Sequence, residues 1–242
     1  MKTLINNVNI FDGIHDRLDE SAGILIDDNL VTRIDRQPIP EEQVDQVIDG
    51  RGLWAIPGLI DAHVHMSCTT TGVLALDAMT TDEVVLRSAR LAREMLFRGF
   101  TTVRDMGSPT IGLKNVIDQK IHPGPRIYPS GSAISQTCGH SDYRQNRAQR
   151  NNPITGSDSP IQRHGFFAVA DGVPEVLRAA REQLFKGASQ IKIMAGGGAS
   201  SLFDPLDSIQ YTPEEMRACV RAAEDYGTYV AAHLHTSPAM LR

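Results

Sequence analysis

"PGLIDAHVHM", residues 57–66, marks the point at which the pattern of the chain changes. Before Pro57 the apolar residues form short runs of strand type, and after it strand-type runs alternate with amphipathic helical runs. Such alternation is typical of α/β architecture with parallel strands, and a doubly wound sheet or a barrel would fit it. The stretch also ends in His63 and His65, which share one face of a strand because side chains alternate along it.

Residues 1–56 predict a small all-β domain. The run over 3–13 indicates a strand that ends in an Asp-Gly turn, and the run over 22–35 indicates two strands around Asp27-Asp28-Asn29. The last run, 47–58, ends at Pro57-Gly58. We therefore expect two domains, 1–56 and 57–242.

The second region predicts five strands with helices between most of them. The helix predicted over 81–99 has Thr81 as its N-cap, and the helix over 173–187 ends at a glycine. A third helix, over 212–227, begins with a capping box of Thr212 and Glu215. About 40 residues separate the third strand from the next predicted helix, and connections of that length are often functional. The predicted strands are 59–65, 100–107, 125–131, 190–198 and 228–236.

Composition narrows the function classes. The 242 residues are 41% hydrophobic and 22% charged, with a net charge of -5, which is ordinary for a globular protein and predicts no nucleic-acid partner. No apolar run approaches the roughly 18 residues of a membrane span, and the N-terminus lacks the apolar run of a signal peptide, so we expect no membrane partner and a cytoplasmic location. Three cysteines, at 68, 138 and 219, fit neither a disulfide framework nor a CxxC metal motif.

Two pairs of histidines suggest a metal site. His63 and His65 lie at the end of a predicted strand, where two imidazoles can bind one metal ion, although two solvated histidines would also fit. Asp61 precedes them and is of a type that orients metal-binding histidines. His233 and His235 repeat the pattern at the end of the last predicted strand. Because parallel strands bring their carboxyl ends to the same edge, the two pairs together favour a metal site.

Lys192 lies between two isoleucines in a strand that runs into Gly196-Gly197-Gly198. Burial lowers the pKa of a lysine and makes it a nucleophile toward carbonyl carbon or CO2, and the resulting carbamate can bridge two metal ions. An exposed edge residue or an internal ion pair would also explain this lysine, and the spacing by itself favours one of these. The glycines match no phosphate-binding motif and indicate backbone clearance near a ligand.

His140 lies in the long connection, where it either lines a pocket or is an ordinary surface histidine. No GxSxG motif and no serine or cysteine in a triad setting is present in the sequence. Water activated by a metal is therefore the favoured nucleophile.

Four motifs together, "AIPGLIDAHVHM", "GFTTVRDMG", "QIKIMAGGG" and "YVAAHLHT", resemble the amidohydrolase superfamily in its imidazolonepropionase-like and prolidase-like branch. The resemblance covers nearly the whole chain. It implies a (β/α)8 TIM-type barrel preceded by a small β-sandwich domain. It also implies that His63 and His65 bind one metal ion, that carbamylated Lys192 bridges two divalent ions, expected to be zinc, and that His233 binds the second. In such enzymes hydroxide held between the metals attacks a carbonyl C–N bond.

The chain departs from the family pattern because only barrel strands 1–5 are present. The histidine expected after strand six and the proton-shuttle aspartate expected after strand eight would fall beyond Arg242. The sequence is accordingly expected to be an N-terminal fragment without its general acid–base residue. We expect this chain alone to be inactive and poorly soluble, because an incomplete barrel leaves two open sheet edges.

The branch resemblance favours a dipeptidase of the Xaa-Pro type, with a dipeptide or another small molecule as the substrate. His140, His235 and Arg242 are the candidate substrate-binding residues, the last two because a basic group can meet a peptide carboxylate. A cyclic amidohydrolase of the imidazolonepropionase type is the alternative enzyme, and an inactive, structural metal-binding fragment is the alternative outside enzymes. Homo-oligomerisation is left open.

Overall fold

The computed structural model describes residues 1–144, 151–152, 156–157 and 159–242. They separate into two compact units, Met1–Gly58 and Leu59–Arg242.

The N-terminal unit is built on one sheet, in the order β3-β2-β1-β4 with β5 beside β1. Burial alternates along β1, where Leu4, Val8 and Ile10 are covered, as expected for a strand with one face on a core. The hairpin predicted around Asp27-Asp28-Asn29 is confirmed, since Asp27 pairs with Leu30. The strands are β1 (Lys2–Ile10), β2 (Asp19–Asp27), β3 (Leu30–Asp35), β4 (Gln46–Asp49) and β5 (Trp54–Ala55).

The second unit alternates parallel strands with helices. Its strands are β6 (Leu59–Val64), β7 (Phe100–Asp105), β8 (Arg126–Pro129), β9 (Ala133–Ser135), β10 (Asn151–Asn152), β11 (Gly156–Ser157), β12 (Phe167–Val169), β13 (Ile191–Met194) and β14 (Val230–His233). Its helices are α1 (Thr81–Phe97), α2 (Ile111–Asp118), α3 (Pro160–Arg163), α4 (Gly172–Lys186), α5 (Pro213–Glu224) and α6 (Ser237–Leu241), with a 3-10 helix at Val73–Ala78. Within this part of the chain no helix is both long enough and apolar enough to cross a membrane.

The strands follow one another as in a barrel wall. One parallel sheet has the order β6-β7-β8 and another the order β12-β9-β13-β14. Only Ser130, Gly131 and Ser132 separate β8 from β9, and backbone hydrogen bonds from Ser130 to Asp105 (3.0 Å) and from Ser189 to Pro129 (2.7 Å) continue the ladder there. The path β6-β7-β8/β9-β13-β14 thus corresponds to five successive barrel strands.

The helices cover one side of this wall. Ile191 and Ile193 of β13 pack into a cluster with alanines of α4 and α5. Val64, Met66 and Val103 belong to a second cluster with α1 and α2. Because side chains alternate along a strand, Lys192 and the histidines at 63 and 65 face the side away from these helices.

Helix starts follow local hydrogen bonding. The predicted cap of α1 is wrong by one residue, because the Thr80 side chain accepts the Glu83 N–H (3.4 Å) whereas the Thr81 hydroxyl pairs with Nδ1 of His164 (2.8 Å). The capping box of Thr212 and Glu215 is confirmed.

The predicted long connection is not a single loop. It contains β9, the β10–β11 ribbon, α3 and β12, and α2 was also missing from the prediction. These elements have two to eight residues, too few for hydrophobic periodicity to identify them.

Candidate metal and substrate site

His63 and His65 meet at the carboxyl end of β6, with ring centroids 5.4 Å apart in an edge-to-face arrangement. The Asp61 carboxylate accepts the backbone N–H of His63 (3.1 Å), so it fixes the end of the strand rather than an imidazole. This differs from the orienting role expected for Asp61. The pairing of β6 with β7 is irregular between Asp61 and Val64, and such an irregularity re-aims side chains at a strand end.

Asp105 ties the end of β6 to β7. Its carboxylate is fully buried and accepts hydrogen bonds from the Met66 backbone N–H (3.4 Å) and the Thr110 hydroxyl (2.5 Å). Burial raises its pKa to about 6, although these hydrogen bonds act in the opposite direction. Asp105 thereby holds the residue that directly follows His65.

Lys192 is buried, with 2% of its surface exposed. Its strand, β13, lies between β9 and β14, so the alternative of an exposed edge residue is wrong. No hydrogen bond or ion pair reaches its amine from the described residues, which removes the alternative of an internal ion pair there. Burial, and secondarily the positive charge of Arg104, lowers the pKa of Lys192 to about 8.

The imidazole of His233 has one nitrogen held by a backbone carbonyl, because its Nε2 lies 3.2 Å from the Gly197 oxygen. Burial, reinforced by neighbouring basic groups, lowers the pKa of His233 and that of His65 to about 4. Burial also lowers the pKa of His63, again with Lys192 contributing. Neutral imidazoles with one nitrogen held and the other bare are the form in which histidine binds metals.

The four predicted metal ligands therefore form one cluster: the charge of Lys192 acts on the rings of His63, His65 and His233. No three His, Cys, Asp or Glu side chains in the described ranges are placed to hold a metal ion by themselves. The three imidazoles nevertheless supply nitrogen donors of the type that binds divalent metals, and the charge of Lys192, an amine without an acidic partner among the described residues, acts on all three.

His140 joins this cluster and is buried, with 7% of its surface exposed, so the alternative of a surface histidine is wrong. Its ring stacks on that of His233, with centroids 4.1 Å apart and an interplanar angle of 13°. Two of the three glycines, Gly197 and Gly198, are needed because neighbouring atoms occupy the space where a side chain would begin. A Cβ on Gly198 would lie 2.1 Å from the His140 ring, and a Cβ on Gly197 would lie 1.9 Å from the Pro205 oxygen.

The other two predicted substrate-binding residues, His235 and Arg242, differ in whether they lie beside the histidine cluster. The exposed His235 contacts the His233 ring edge-to-face, at 4.8 Å, and so belongs to the cluster. The Arg242 guanidinium donates to the Tyr211 carbonyl (2.8 Å) and lines a groove beside α5. Among the residues with described positions, its hydrogen bond is to Tyr211 and not to any of the histidines.

Sequence reasoning missed the residues that hold the rings. Asp204 binds the His140 ring, and the carbonyl of Gly197 binds His233. Backbone carbonyls carry no sequence signal, and Asp204 lies 64 residues from its partner. The run of glycines was the one local indication of a crowded site.

Parallel strands with histidines at their carboxyl ends and a buried lysine in β13 place the candidate site where (β/α)8 barrel enzymes hold their active sites. The sequence profile of the amidohydrolase family matches residues 54–241, and the chain belongs to that family. The predicted family and (β/α)8 barrel fold, with a sheet-rich N-terminal domain, are thereby confirmed.

Three relatives illustrate the similarity. The ochratoxinase of Aspergillus niger is 34% identical over 189 residues, which are 74% of this chain and 39% of the relative. The crystal structure of a prolidase complexed with N-methylphosphonate-L-proline is 36% identical with a TM-score of 0.90, and the match covers 99% of this chain and 58% of that one. The structure of a Xaa-Pro dipeptidase with bound methionine is 31% identical with a TM-score of 0.84, covering 100% and 58%. The chain thus spans between about two fifths and three fifths of the length of these proteins.

Proposed function

We propose that the full-length protein is a metal-dependent hydrolase that cleaves the C–N bond of Xaa-Pro dipeptides. In this proposal His63, His65, Lys192 and His233 bind two divalent ions. The observation that carries the proposal is Lys192, a buried amine without an acidic partner among the described residues, whose charge acts on three imidazoles. Burial of a charged amine without an anionic partner is unfavourable unless something anionic completes its surroundings.

Carbamylation completes this cluster chemically. The Lys192 ammonium first loses a proton to solvent, and the neutral amine then attacks CO2. An N–C bond forms, the π pair of one C=O bond moves onto its oxygen, and a second proton passes from the nitrogen to solvent. The product replaces a buried cation with an anionic group that has two oxygen donors. Its charge offsets that of the bound cations.

The histidines contribute neutral nitrogen donors that are already oriented. The Gly197 carbonyl oxygen holds one nitrogen of His233, which leaves the other nitrogen for a ligand. Nitrogen and oxygen donors of this kind suit zinc, which we expect to be the native metal. When bound, a pair of such ions supplies Lewis-acid polarisation of the scissile carbonyl and lowers the pKa of water.

The substrate class is supported by the similarity to the prolidase and the Xaa-Pro dipeptidase. His140 and His235 lie against His233 and would meet the substrate near the metals. Arg242 would bind the substrate carboxylate only after exchanging its present bond to the Tyr211 carbonyl.

The proposal is tested with the full-length protein, supplied with zinc and bicarbonate and assayed against a panel of dipeptides and N-acyl amino acids. We expect turnover of Xaa-Pro substrates, and loss of that turnover in His63→Ala. His15→Ala is the matched control, because His15 is an exposed histidine of the N-terminal unit that pairs with Asp12. Absence of turnover across the whole panel would refute the proposal.

Ochratoxin is the second substrate candidate, favoured by the 34% identity to the ochratoxinase over 74% of this chain. The same assay should include ochratoxin and a cyclic imidazolone. Faster turnover of either than of every dipeptide would reassign the substrate while leaving the metal site in place.

A further inference from the structure

We infer that Asp204 is a positioning residue for His140: it holds the imidazole with its proton on Nδ1, so that Nε2 is the nitrogen presented to the substrate. This inference rests on the proposed function only in giving His140 a substrate to meet. The hydrogen-bonded geometry of the pair is independent of it.

The pair is buried and closely joined. Oδ2 of Asp204 lies 2.8 Å from Nδ1 of His140, with 1% of the aspartate side chain and 9% of the histidine side chain exposed. The same oxygen accepts the backbone N–H of Gly198 at 2.8 Å. An ionised carboxylate only accepts hydrogen bonds, so the short contact requires a proton on Nδ1.

Ser201 is a second hydrogen-bond partner of Nδ1 of His140, but it cannot select the tautomer as the Asp204 carboxylate does. Its hydroxyl also lies 2.8 Å from Nδ1. A hydroxyl can donate or accept, so the serine alone would permit either tautomer. The aspartate is the group that selects one.

The backbone of His140 is held as firmly as its ring. Its N–H donates to the Gln210 side chain (3.0 Å) and its carbonyl accepts from the Ser135 hydroxyl (2.5 Å). Gly198 leaves room for the ring on one side, and the ring of His233 stacks on it. With backbone and ring plane fixed, the position of the proton is the remaining freedom, and Asp204 removes it.

The direct test is the proton position on His140 in the full-length protein, measured by imidazole 15N NMR with the signal assigned through His140→Gln. We expect a proton on Nδ1 in the wild type and in Asp204→Asn, whose amide oxygen can accept both bonds that Oδ2 accepts. Asp204→Ala should shift His140 toward the Nε2–H tautomer. Asp171→Ala is the matched control, because Asp171 anchors the same segment through Thr137 (2.9 and 2.6 Å) without touching His140.

Kinetics provide the second measurement. Asp204→Ala should lower kcat/KM on the order of 10–100-fold, mainly in kcat, the usual effect of removing a residue that orients a site histidine. Asp204→Asn should restore most of that loss, and Asp171→Ala should remain close to wild type.

Three outcomes would overturn the inference: a bare Nδ1 in the wild type, an unchanged proton position in folded Asp204→Ala, or equal kinetic losses in the Asp204 and Asp171 alanine variants. If Asp204→Ala does not fold, the spectra of the wild type and of Asp204→Asn still decide it. A wild type without dipeptide turnover would refute the proposed function, whereas the proton position would still test the role of Asp204.

Discussion

Burial changes the chemistry of Lys192 and Asp105 in opposite directions on the pKa scale. It lowers the pKa of Lys192 to about 8 and raises that of Asp105 to about 6, because in each case the charged form is the one that loses hydration. For Lys192, the lowered pKa increases the fraction of neutral amine, which is the nucleophilic form. For the aspartate it adds a stability cost to a residue that supports the end of β6.

Removing the lysine side chain should abolish most of the activity. We expect Lys192→Ala to lower kcat on the order of 10³-fold, since losing a charged metal ligand removes several kcal/mol of transition-state stabilisation. A short carboxylate such as acetate should restore part of the rate by entering the vacated space. The measurement is steady-state hydrolysis of the best dipeptide by the full-length protein, with and without acetate.

The control for this substitution is Lys186→Ala. Lys186 is a solvent-accessible lysine of α4 that pairs with Glu182 at 2.8 Å. Its loss should leave kcat near the wild-type value. Full activity of Lys192→Ala would contradict the assignment of Lys192 as a metal ligand.

The raised pKa of Asp105 predicts that the free energy of unfolding falls as the pH rises from about 4 to about 6. Its folded-state pKa of about 6 lies above the usual 3.8, so the folded protein retains a proton that the unfolded chain releases between these values. The stability contributed by this proton is fully present below about pH 4 and lost as the pH rises to about 6. At about 1.4 kcal/mol per pKa unit, the loss amounts to about 3 kcal/mol.

Asp105→Asn should remove this dependence, because an amide does not titrate. Its oxygen can accept the Met66 N–H and its NH2 group can donate to Thr110. The free energy of unfolding, measured by urea denaturation from pH 4 to 7, should therefore fall less steeply in the variant than in the wild type. Asp118→Asn, at the exposed end of α2, is the control and should run parallel to the wild type. Parallel curves for Asp105→Asn would contradict the prediction.

At the scale of elements, the loops after β9 and β13 support each other across the site. His140, Tyr143 and Cys138 of the first loop bond to Asp204, Ser200 and Phe203 of the second. A loop held at so many points does not move aside for a new atom. The cost of adding a methyl group should therefore depend on where along the chain it is added.

Two glycine substitutions test this dependence. In Gly198→Ala the new Cβ would lie 2.1 Å from the His140 ring, so we expect a stability loss of about 1–3 kcal/mol, as for overpacking, and a kcat/KM reduced by more than about tenfold. Gly112→Ala is the matched change, because this glycine lies inside α2 with nothing within 4 Å of the added Cβ.

Gly112→Ala should increase stability by about 0.5–1 kcal/mol, because alanine is the better helix former. Denaturant midpoints and dipeptidase kinetics measure both variants. Equal effects of the two substitutions would show that Gly198 is not packed against His140 as described.

At the scale of the whole molecule, features that depend on local repetition could be predicted from the sequence. Alternating strands and helices predict parallel α/β architecture, and HxH pairs at strand ends group His63, His65 and His233, whereas the barrel itself was implied only by the family resemblance. The pairing of His140 with Asp204 could not be predicted, because tertiary folding joins two loops 64 residues apart. Short elements such as β12 were missed because three residues show no periodicity.

Metal removal tests the molecule as a unit. We expect the full-length protein to contain two divalent ions, to lose activity on treatment with a chelator, and to regain it with zinc. Because the ligands come from β6, β13 and β14, metal binding should also stabilise the barrel, by about 3 kcal/mol when free zinc is 100 times the dissociation constant. Elemental analysis and thermal unfolding with and without zinc measure both effects.

The same zinc-binding measurements on two variants, one altered at the proposed ligands and one elsewhere, test which residues bind the metal. The double variant His63→Ala/His65→Ala should bind fewer ions and gain less stability from zinc, whereas His15→Ala should behave as the wild type because His15 lies in the N-terminal unit. If all three proteins bound zinc equally and gained the same stability, the metal would lie elsewhere. If none bound zinc, the alternative of a structural protein would be favoured, since the proposed hydrolysis depends on metal ions to activate water.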